Sequence, residues 1–348
     1  MNVRATTLLK GLGILLIIGH NFQYLASELP GVNEFVFDRQ NVTAFLGLLT
    51  PTSWPRLSLA YFGHYGVQLF IFLSAYGLTR SFEQKTPKWA GFVKGRLARL
   101  YPAFVLAIAG WVLWKGRGAP LELLSEHGRA VAWKLSLASN LVRGEQLSLV
   151  GPWWFLPFIF QFYLLFPLLL RLRTRGLVVV ALTALGLTVL LNETVLPGGF
   201  VYATPLGHLP EFCVGLWWAR TKEPRLSPWL SPLALAIFAA GNWWSSAWYL
   251  SHLSVLVLVL AAVPVVLEVC ERFGPLGQLL EAFGGLSMEL FLVNGFLRAP
   301  FFTFAKQGGT ELSAIGWGLI SFGVCVLFAL AIRFLSRRAS FDRAGLIN

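Results

Sequence analysis

Long apolar runs separated by short polar segments are the main pattern along this chain. A helix of about 20 mostly apolar residues crosses the roughly 30 Å hydrocarbon layer of a membrane, so each run predicts a span. We predict ten spans, with nine or eleven left open, near residues 7–27, 58–79, 100–115, 152–171, 177–192, 203–219, 228–247, 250–268, 285–303 and 312–335. The fold class expected is an all-α polytopic membrane protein, with one membrane domain over residues 1–348.

The distribution of charge along the chain predicts its orientation. Most of the 28 Lys and Arg residues fall on one side of the alternating spans if the N-terminus is placed inside. Cytoplasmic loops carry such an excess of basic residues, so we expect both termini in the cytoplasm and the protein in the inner membrane of the cell.

The composition agrees with a membrane protein and argues against several other classes. Only 13% of the residues are charged and 56% are hydrophobic, whereas a soluble domain carries about 25% charged residues. The net charge of +12 is spread over short segments between apolar runs, which argues against nucleic acid as a partner. Three cysteines within or at the ends of apolar runs predict neither disulfides nor a thiolate metal site.

No motif for nucleotide hydrolysis or metal-assisted chemistry stands out. The sequence lacks a convincing Walker loop, a GxSxG elbow and an HExxH helix. Acidic residues within the predicted spans are few, chiefly Glu211 and Glu289, and they do not suggest a metal site. We therefore predict no metal and no bound cofactor.

The strongest candidate for chemistry is His20, which follows the run KGLGILLIIG in the first span. An ionisable residue inside a membrane is costly and by default marks function. At 1.5 Å per residue it lies about 20 Å from the inner end of the helix, in the outer half of the bilayer. A neutral imidazole there can act as a general base, since its reference pKa is about 6.5. The alternative is a packing histidine bonded to a neighbouring helix.

Other polar and aromatic residues share the outer half of the predicted bilayer or lie deeper within a span. We expect several of them to converge with His20 on one outward-facing cavity, where they would bind an acceptor or orient the histidine, although each histidine singly also fits an interfacial position. These candidates are Asn21, His64, Trp154, Gln161, Tyr163, His208 and Glu211.

Basic residues crowd the predicted cytoplasmic loop after the second span, namely Arg80, Lys85, Lys88, Lys94, Arg96 and Arg99. One interpretation is orientation of the protein and contact with anionic lipid head groups. The other is a phosphate-bearing ligand, because Arg pairs bidentately with phosphate oxygens. Arg96 and Arg99 are three residues apart, which places both on one face of a helix.

Four segments carry a resemblance to a known family. They are LLKGLGILLIIGHNF, GVQLFIFLSAYGL, GRLARLYPAF and PWWFLPFIFQFYLLFPLLL, and the later segments HLPEFCVGLWWA and FGGLSMELFLVNGFL follow in the expected order. Together they resemble acyltransferase family 3, the membrane acyltransferases that O-acylate cell-surface sugars. The similarity extends over nearly the whole chain, and the order of the motifs is more specific than any one of them.

The resemblance implies an enzyme that takes an acyl group from cytoplasmic acyl-CoA, usually acetyl-CoA, as a co-substrate. The acceptor would be a carbohydrate or glycolipid hydroxyl at the outer face. The family's first-helix histidine matches His20, and its basic partner matches Lys10. The family's basic loop matches Arg96 and Arg99, which become candidates for binding coenzyme A phosphates. We group Arg80 and Lys94 with them as donor-binding candidates.

The chain departs from the family pattern around the first helix. The pattern usually places Arg eleven residues before the histidine, whereas here Lys10 lies ten before His20, which turns the two about 80° apart on an ideal helix. The flexible stem of Lys10 or local unwinding at Gly11 and Gly13 is a hypothesis that would bring them together. Three other departures replace a common acidic residue or histidine, at Gln68, Ile159 and Asn294.

The function predicted is therefore a membrane O-acyltransferase, most simply an O-acetyltransferase, with His20 and Lys10 in catalysis. Two alternatives stay open. One is a transporter or flippase of a glycolipid or acyl donor, with discontinuous helices that Gly284, Gly285 and Asn294 could supply. The other is a catalytically silent relative that serves as a scaffold. Acceptor identity, acetyl against succinyl transfer and oligomeric state are not predicted.

Overall fold

The computed structural model describes residues 1–82, 88–196, 198, 200–221, 224 and 226–345, and this part of the chain is helical with no strand. Lys85 lies outside it. The helices are α1 (Val3–Ala26), α2 (Arg39–Leu48), α3 (Trp54–Phe62), α4 (Gly66–Ser81), α5 (Trp89–Lys115), α6 (Pro120–Leu135), α7 (Phe155–Leu169), α8 (Thr174–Thr194), α9 (Pro205–Arg220), α10 (Leu230–Trp243), α11 (Ser245–Trp248), α12 (Ser251–Arg272), α13 (Gly274–Gly285), α14 (Ser287–Leu297), α15 (Ala299–Gly308) and α16 (Glu311–Gly345). Short 3₁₀ turns occur at Gly63–Tyr65, Ser139–Leu141, Gly151–Trp154 and Phe200–Ala203.

The apolar helices confirm a multi-pass membrane architecture. Within the described residues, 7 helical segments are long and apolar enough to cross a membrane, or 8 if the pair α13 and α14 is one span. Two predicted spans coincide with shorter helices, since α9 has 16 residues and α10 has 14. The count of ten and the orientation of the termini stay predictions.

Two predicted boundaries are wrong. The third span was expected near residue 100, but α5 begins at Trp89, because Lys and Arg are good helix formers that extend a helix beyond its apolar part. The ninth was expected as one helix over 285–303, but α14 begins after a break at Leu286, and α15 begins beyond Arg298 with a proline in its first turn. Proline is favoured at the start of a helix and disfavoured inside it.

The described residues form two compact units. Unit 1 comprises the described residues within 1–82 and 165–285, and unit 2 comprises 88–164 and 286–345. In unit 1, a core of large apolar side chains joins α1, α4, α9 and α12. Its fully buried members include Leu9, Leu69, Phe72, Tyr76, Trp218 and Leu256.

Helix α1 approaches its neighbours in unit 1 unusually closely. A Cβ atom built on Gly11 would lie 2.0 Å from the carbonyl oxygen of Leu280, and one built on Gly284 would lie 1.8 Å from that of Thr7. Small residues at such crossings let helix backbones meet, which is how membrane helices gain packing contacts in the absence of water. An ion pair between Arg4 and Glu281 adds to the same crossing of α1 and α13.

Unit 2 packs α14 against α5 and α16. The indole Nε1 of Trp153 donates a hydrogen bond to the Leu292 carbonyl at 2.8 Å. Nε and Nη2 of Arg333 each donate to one oxygen of the Glu289 carboxylate, at 3.2 and 3.0 Å. A bidentate pair satisfies charges that would otherwise be costly in apolar surroundings. The presence of Glu289 within an apolar helix is thus explained by its ion pair with Arg333 on α16.

We predict that Gly284→Ala destabilises the protein by about 1–3 kcal/mol, because the added methyl group overpacks a backbone contact. Gly285→Ala is the matched control, since a Cβ atom there meets nothing within 4 Å. Thermal unfolding of both purified variants in detergent checks this. Equal melting temperatures for the two variants would contradict the close crossing of α1 and α13.

Candidate active site

His20 lies on α1 with 5% of its surface exposed, in the interior of unit 1. Its Nδ1 is 2.7 Å from the backbone carbonyl oxygen of Ala60 on α3. Because a carbonyl can only accept a hydrogen bond, Nδ1 carries the proton in the neutral ring and Nε2 becomes the basic nitrogen. The fold therefore selects one tautomer of the residue that the sequence singled out.

The segment Gly63–Tyr65 brings a second histidine beside the first. A Cβ atom on Gly63 would lie 2.7 Å from the Leu16 carbonyl oxygen and 2.8 Å from the His20 Cβ, so glycine allows this turn to touch α1. The rings of His20 and His64 meet edge to face, with centroids 5.2 Å apart. His64, a predicted site residue, therefore lies next to His20.

A series of ring contacts leads from His64 through unit 1 to residues near the beginnings of α4, α12 and α9. His64 lies 4.1 Å from Tyr65, Tyr65 lies 5.9 Å from His252, and His252 lies 5.3 Å from His208, measured between ring centroids. We call His20, His64, Tyr65, His252 and His208 the histidine cluster. Four of the five histidines of the chain belong to it. Within the described residues, no group of three His, Cys, Asp or Glu side chains is placed to hold a metal ion.

The cluster ends at a buried carboxyl group. His208 Nδ1 is 3.4 Å from Glu211 Oε1, and the two side chains are 3% and 2% exposed. Tyr202 stacks on His252 with centroids 4.5 Å apart and contacts His208 edge to face at 5.5 Å. The predicted residues His20, His64, His208 and Glu211 are thus brought together in one unit.

A loop over residues 27–38 contacts the cluster's surroundings. The Trp248 indole donates to the Asn33 carbonyl at 2.9 Å, and Phe35 and Phe37 pack against Tyr202 and Trp248. Glu34, in the same loop, interacts electrostatically with Tyr65 of the cluster. Burial raises the pKa of the Glu34 carboxyl to about 8.

Sequence reasoning missed His252, Tyr65, Tyr202 and Glu34. His252 follows Ser251 at the start of an apolar run, so the rule that an ionisable residue in a span marks function could have found it. Tyr65, Tyr202 and Glu34 lie in short turns or a loop. Their role in the site follows only from tertiary contacts.

In unit 2, two predicted site residues serve packing. Gln161 and Asn140 exchange hydrogen bonds at 2.7 and 3.0 Å, and Gln161 also donates to the Leu137 carbonyl at 3.3 Å. Trp154 is 5% exposed and packs against Phe155 and Phe158. The Gln161 amide thus has hydrogen-bond partners within unit 2, and a role for Gln161 or Trp154 in binding the acceptor stays a prediction.

Tyr163 lies with the basic residues of unit 2. The Arg96 guanidinium lies 5.7 Å above the Tyr163 ring and 5.2 Å above that of Phe92, which are cation–π distances. Lys94 and Arg99 are exposed on α5 rather than in a loop. Unit 2 therefore presents three cations along one end of α5.

Arg80 belongs to unit 1. It is exposed in the last turn of α4, and its charge acts on the N-terminal amine, whose pKa is lowered by burial and then by Arg80. The amine donates to the Tyr76 hydroxyl at 3.0 Å. The end of α4 and the beginning of α1 thus lie together.

Helix α1 is continuous from Val3 to Ala26, so the hypothesis of unwinding at Gly11 and Gly13 is wrong. Close packing of Gly11 against α13 explains why the helix keeps its regular form there. Lys10 is half-buried and remains about 80° around the helix from His20. Asn21 is also half-buried, directly after His20.

The three other departures from the family pattern are all buried. Gln68 and Ile159 are 2% and 3% exposed, and the Asn294 amide donates to the Leu290 and Phe291 carbonyls of its own helix. The side-chain amide of Asn294 therefore makes hydrogen bonds within α14. These bonds do not favour the hypothesis that Asn294 belongs to a substrate site of a transporter.

Fold and site together define a multi-pass helical membrane protein with a buried histidine cluster. The family model for the acyltransferase 3 family, described as "Acyltransferase domain", matches residues 4–334. This range is nearly the whole chain, so the protein belongs to that family. No curated protein and no solved structure matches the chain. Family membership supports a membrane acyltransferase activity in general.

The raised pKa of Glu34 predicts a pH dependence of stability. A carboxyl whose pKa rises from 4.5 to about 8 on folding binds its proton more tightly in the folded state, so it costs stability as the pH rises through that window. We expect Glu34→Gln to melt progressively higher than wild type as the pH increases from 5 to 8, a window set by those values. Thermal unfolding at several pH values measures the difference.

Glu28→Gln is the control for this prediction, because Glu28 is an exposed residue of the same loop. Its melting temperature is expected to follow that of wild type at every pH. A Glu34→Gln difference that stays constant with pH would contradict the burial of the Glu34 carboxyl.

Proposed function

We propose that the protein is an O-acyltransferase of the inner membrane that moves an acyl group, most simply acetyl, from cytoplasmic acyl-CoA to a hydroxyl of an extracytoplasmic carbohydrate or glycolipid. The observation that carries this proposal is the 2.7 Å contact between His20 Nδ1 and the Ala60 carbonyl. It favours the tautomer with the proton on Nδ1, in which Nε2 is the ring nitrogen with the lone pair that a base needs.

In this proposal His20 Nε2 removes the proton of the acceptor hydroxyl while the hydroxyl oxygen attacks the thioester carbon. The carbon–sulfur bond breaks, an oxygen ester forms, and the imidazolium returns the proton to the leaving thiolate. A second route passes through an acyl-imidazole on Nε2, which the acceptor oxygen then resolves. Both routes consume one acyl-CoA and release one free thiol per ester.

The donor side is proposed from charge. In unit 2, Lys94, Arg96 and Arg99 on α5 are candidates for binding the phosphates of coenzyme A. Arg80 on α4 of unit 1 is a separate candidate for the same role. Arg96 also rests on two aromatic rings, which orients its planar guanidinium. Lys10 keeps the place of the family's basic partner, and its role in catalysis is part of this proposal.

The experiment is acyl-CoA thioester cleavage by the purified protein in nanodiscs with crude polysaccharide added as acceptor, and acetyl-CoA and succinyl-CoA compared. We expect His20→Gln to lower the rate by about 10²-fold or more, the usual contribution of a general base. His127→Gln is the matched control, since His127 is the histidine of unit 2 and contacts Trp111 and Glu126 outside the cluster.

Cleavage that depends on His20 and not on His127 would support the proposal and identify the acyl group. Cleavage at the wild-type rate in folded His20→Gln would remove His20 from catalysis. Absence of cleavage by the wild-type protein would favour a transporter or a silent scaffold, and uptake in proteoliposomes would separate those two.

One observation favours the transporter as a second candidate. The apolar helices α13 and α14 are separated by a break at Leu286, and discontinuous helices occur at the substrate sites of transporters. Gly284, next to this break, is explained by helix packing, since it permits the close crossing of α13 with α1. Acyl transfer therefore remains the leading proposal.

A further inference from the structure

A group of buried polar atoms in unit 1 has no hydrogen-bond partner among the described residues. The atoms are a ring nitrogen of His64, whose ring also contacts the Tyr61 backbone, Nδ1 of His252, the hydroxyl of Tyr202 and Oε2 of Glu211. Their side chains are between 1% and 3% exposed. Most buried polar atoms are hydrogen-bonded, and each one left unpaired costs about 1–3 kcal/mol.

These atoms belong to one contiguous region rather than to scattered sites. Tyr202 stacks on His252 at 4.5 Å, and His252 contacts His208, which is 3.4 Å from the Glu211 carboxylate. On the other side, Tyr65 connects His252 to His64. Four unpaired atoms in one connected group indicate a place for a polar ligand rather than four separate packing faults.

The chemistry of the unpaired atoms restricts the ligand. The second carboxylate oxygen of Glu211 accepts, each neutral imidazole has one donor and one acceptor, and the Tyr202 hydroxyl does both. An anion would satisfy only the donors, and a cation only the acceptors. A hydroxyl group donates and accepts, so a hydroxyl-rich ligand satisfies the whole set.

Aromatic rings surround these polar atoms. Tyr65, Tyr202 and Trp248 contact the histidines of this region with ring centroids 4.1 to 6.0 Å away. Apolar aromatic walls with a few placed polar groups are the usual lining of a small-molecule site. Ordered water and a carbohydrate share the required hydroxyl chemistry, and the experiment below separates them.

We propose that His64, Tyr202, His252 and Glu211 form a binding subsite for the hydroxyl groups of a carbohydrate acceptor, adjoining His20. Neither Tyr202 nor His252 is among the candidates predicted from the sequence. This inference rests on the proposed acyl transfer and assigns the residues that position its acceptor. The four side chains position the acceptor, whereas His20 alone takes the proton.

The experiment compares Tyr202→Phe with Tyr249→Phe. Both remove one hydroxyl from adjacent stacked rings, but the Tyr249 hydroxyl has two partners, Asn192 at 2.8 Å and Glu193 at 2.5 Å. Membranes containing each variant receive radiolabelled acetyl-CoA or succinyl-CoA. We measure three quantities, which are total thioester cleavage, alkali-labile label in the carbohydrate fraction, and the melting temperature of the purified variant.

We expect Tyr202→Phe to melt no lower than wild type, because the hydroxyl it removes has no protein partner. Thioester cleavage is expected to stay at the wild-type rate, with water taking the acyl group as free acid in place of the carbohydrate, while ester in the carbohydrate fraction falls about tenfold, the loss of one hydrogen bond to the acceptor. Tyr249→Phe is expected to melt lower and to retain ester formation. The divergence of cleavage from ester formation is a result that a purely structural role would not produce.

Unchanged ester formation in Tyr202→Phe would overturn the proposal and leave ordered water as the ligand. A melting temperature lowered as far as in Tyr249→Phe would overturn it too, because the hydroxyl would then have a structural partner. Wild-type cleavage without ester in the carbohydrate fraction would overturn the carbohydrate class alone. No cleavage at all would instead contradict the proposed function.

Discussion

The close approach of backbone segments to helix α1 is the constraint on which unit 1 depends. Gly11 and Gly284 let α13 touch it near the beginning, and Gly63 lets the turn before α4 touch it at His20. A bilayer offers little hydrophobic driving force between helices, so such contacts and the hydrogen bonds they permit hold the helices together. The same approach brings the Ala60 carbonyl within hydrogen-bond distance of the His20 ring.

That packing has a chemical consequence. A histidine in apolar surroundings is useful as a base only if one nitrogen is fixed and the other is presented to the substrate. The Ala60 carbonyl fixes Nδ1, and His64 and Tyr24 border the ring, at centroid distances of 5.2 and 5.9 Å. Polar atoms left unpaired around Tyr202 and His252 are costly for folding, and a site for a hydroxyl-bearing ligand accounts for retaining them.

Much of the membrane architecture could be predicted because hydropathy depends only on local sequence. His20 could also be found locally, since an ionisable residue in an apolar run is conspicuous. The sequence analysis placed three basic residues in a loop, namely Lys94, Arg96 and Arg99, whereas all three lie on α5. Hydropathy detects only the apolar part of a helix, and Lys and Arg are good helix formers that extend it.

Other parts of the site depend on partners that are distant in sequence. Gln161 pairs with Asn140, and Tyr163 lies beside Arg96, both within unit 2. Tyr202 and His252 are 50 residues apart in the chain and meet only because the start of α12 packs beside the turn before α9. Periodicity and motif order carry no information about such contacts.

The central claim is that the fold holds His20 with its proton on Nδ1, so that Nε2 is the reacting nitrogen. Ring-nitrogen NMR of isotopically labelled histidine in nanodiscs tests it most directly, with the His20 signals assigned by their loss in His20→Gln. The account predicts a protonated, hydrogen-bonded Nδ1 and an unprotonated Nε2 in the resting protein. The opposite tautomer, with the proton on Nε2, would contradict it.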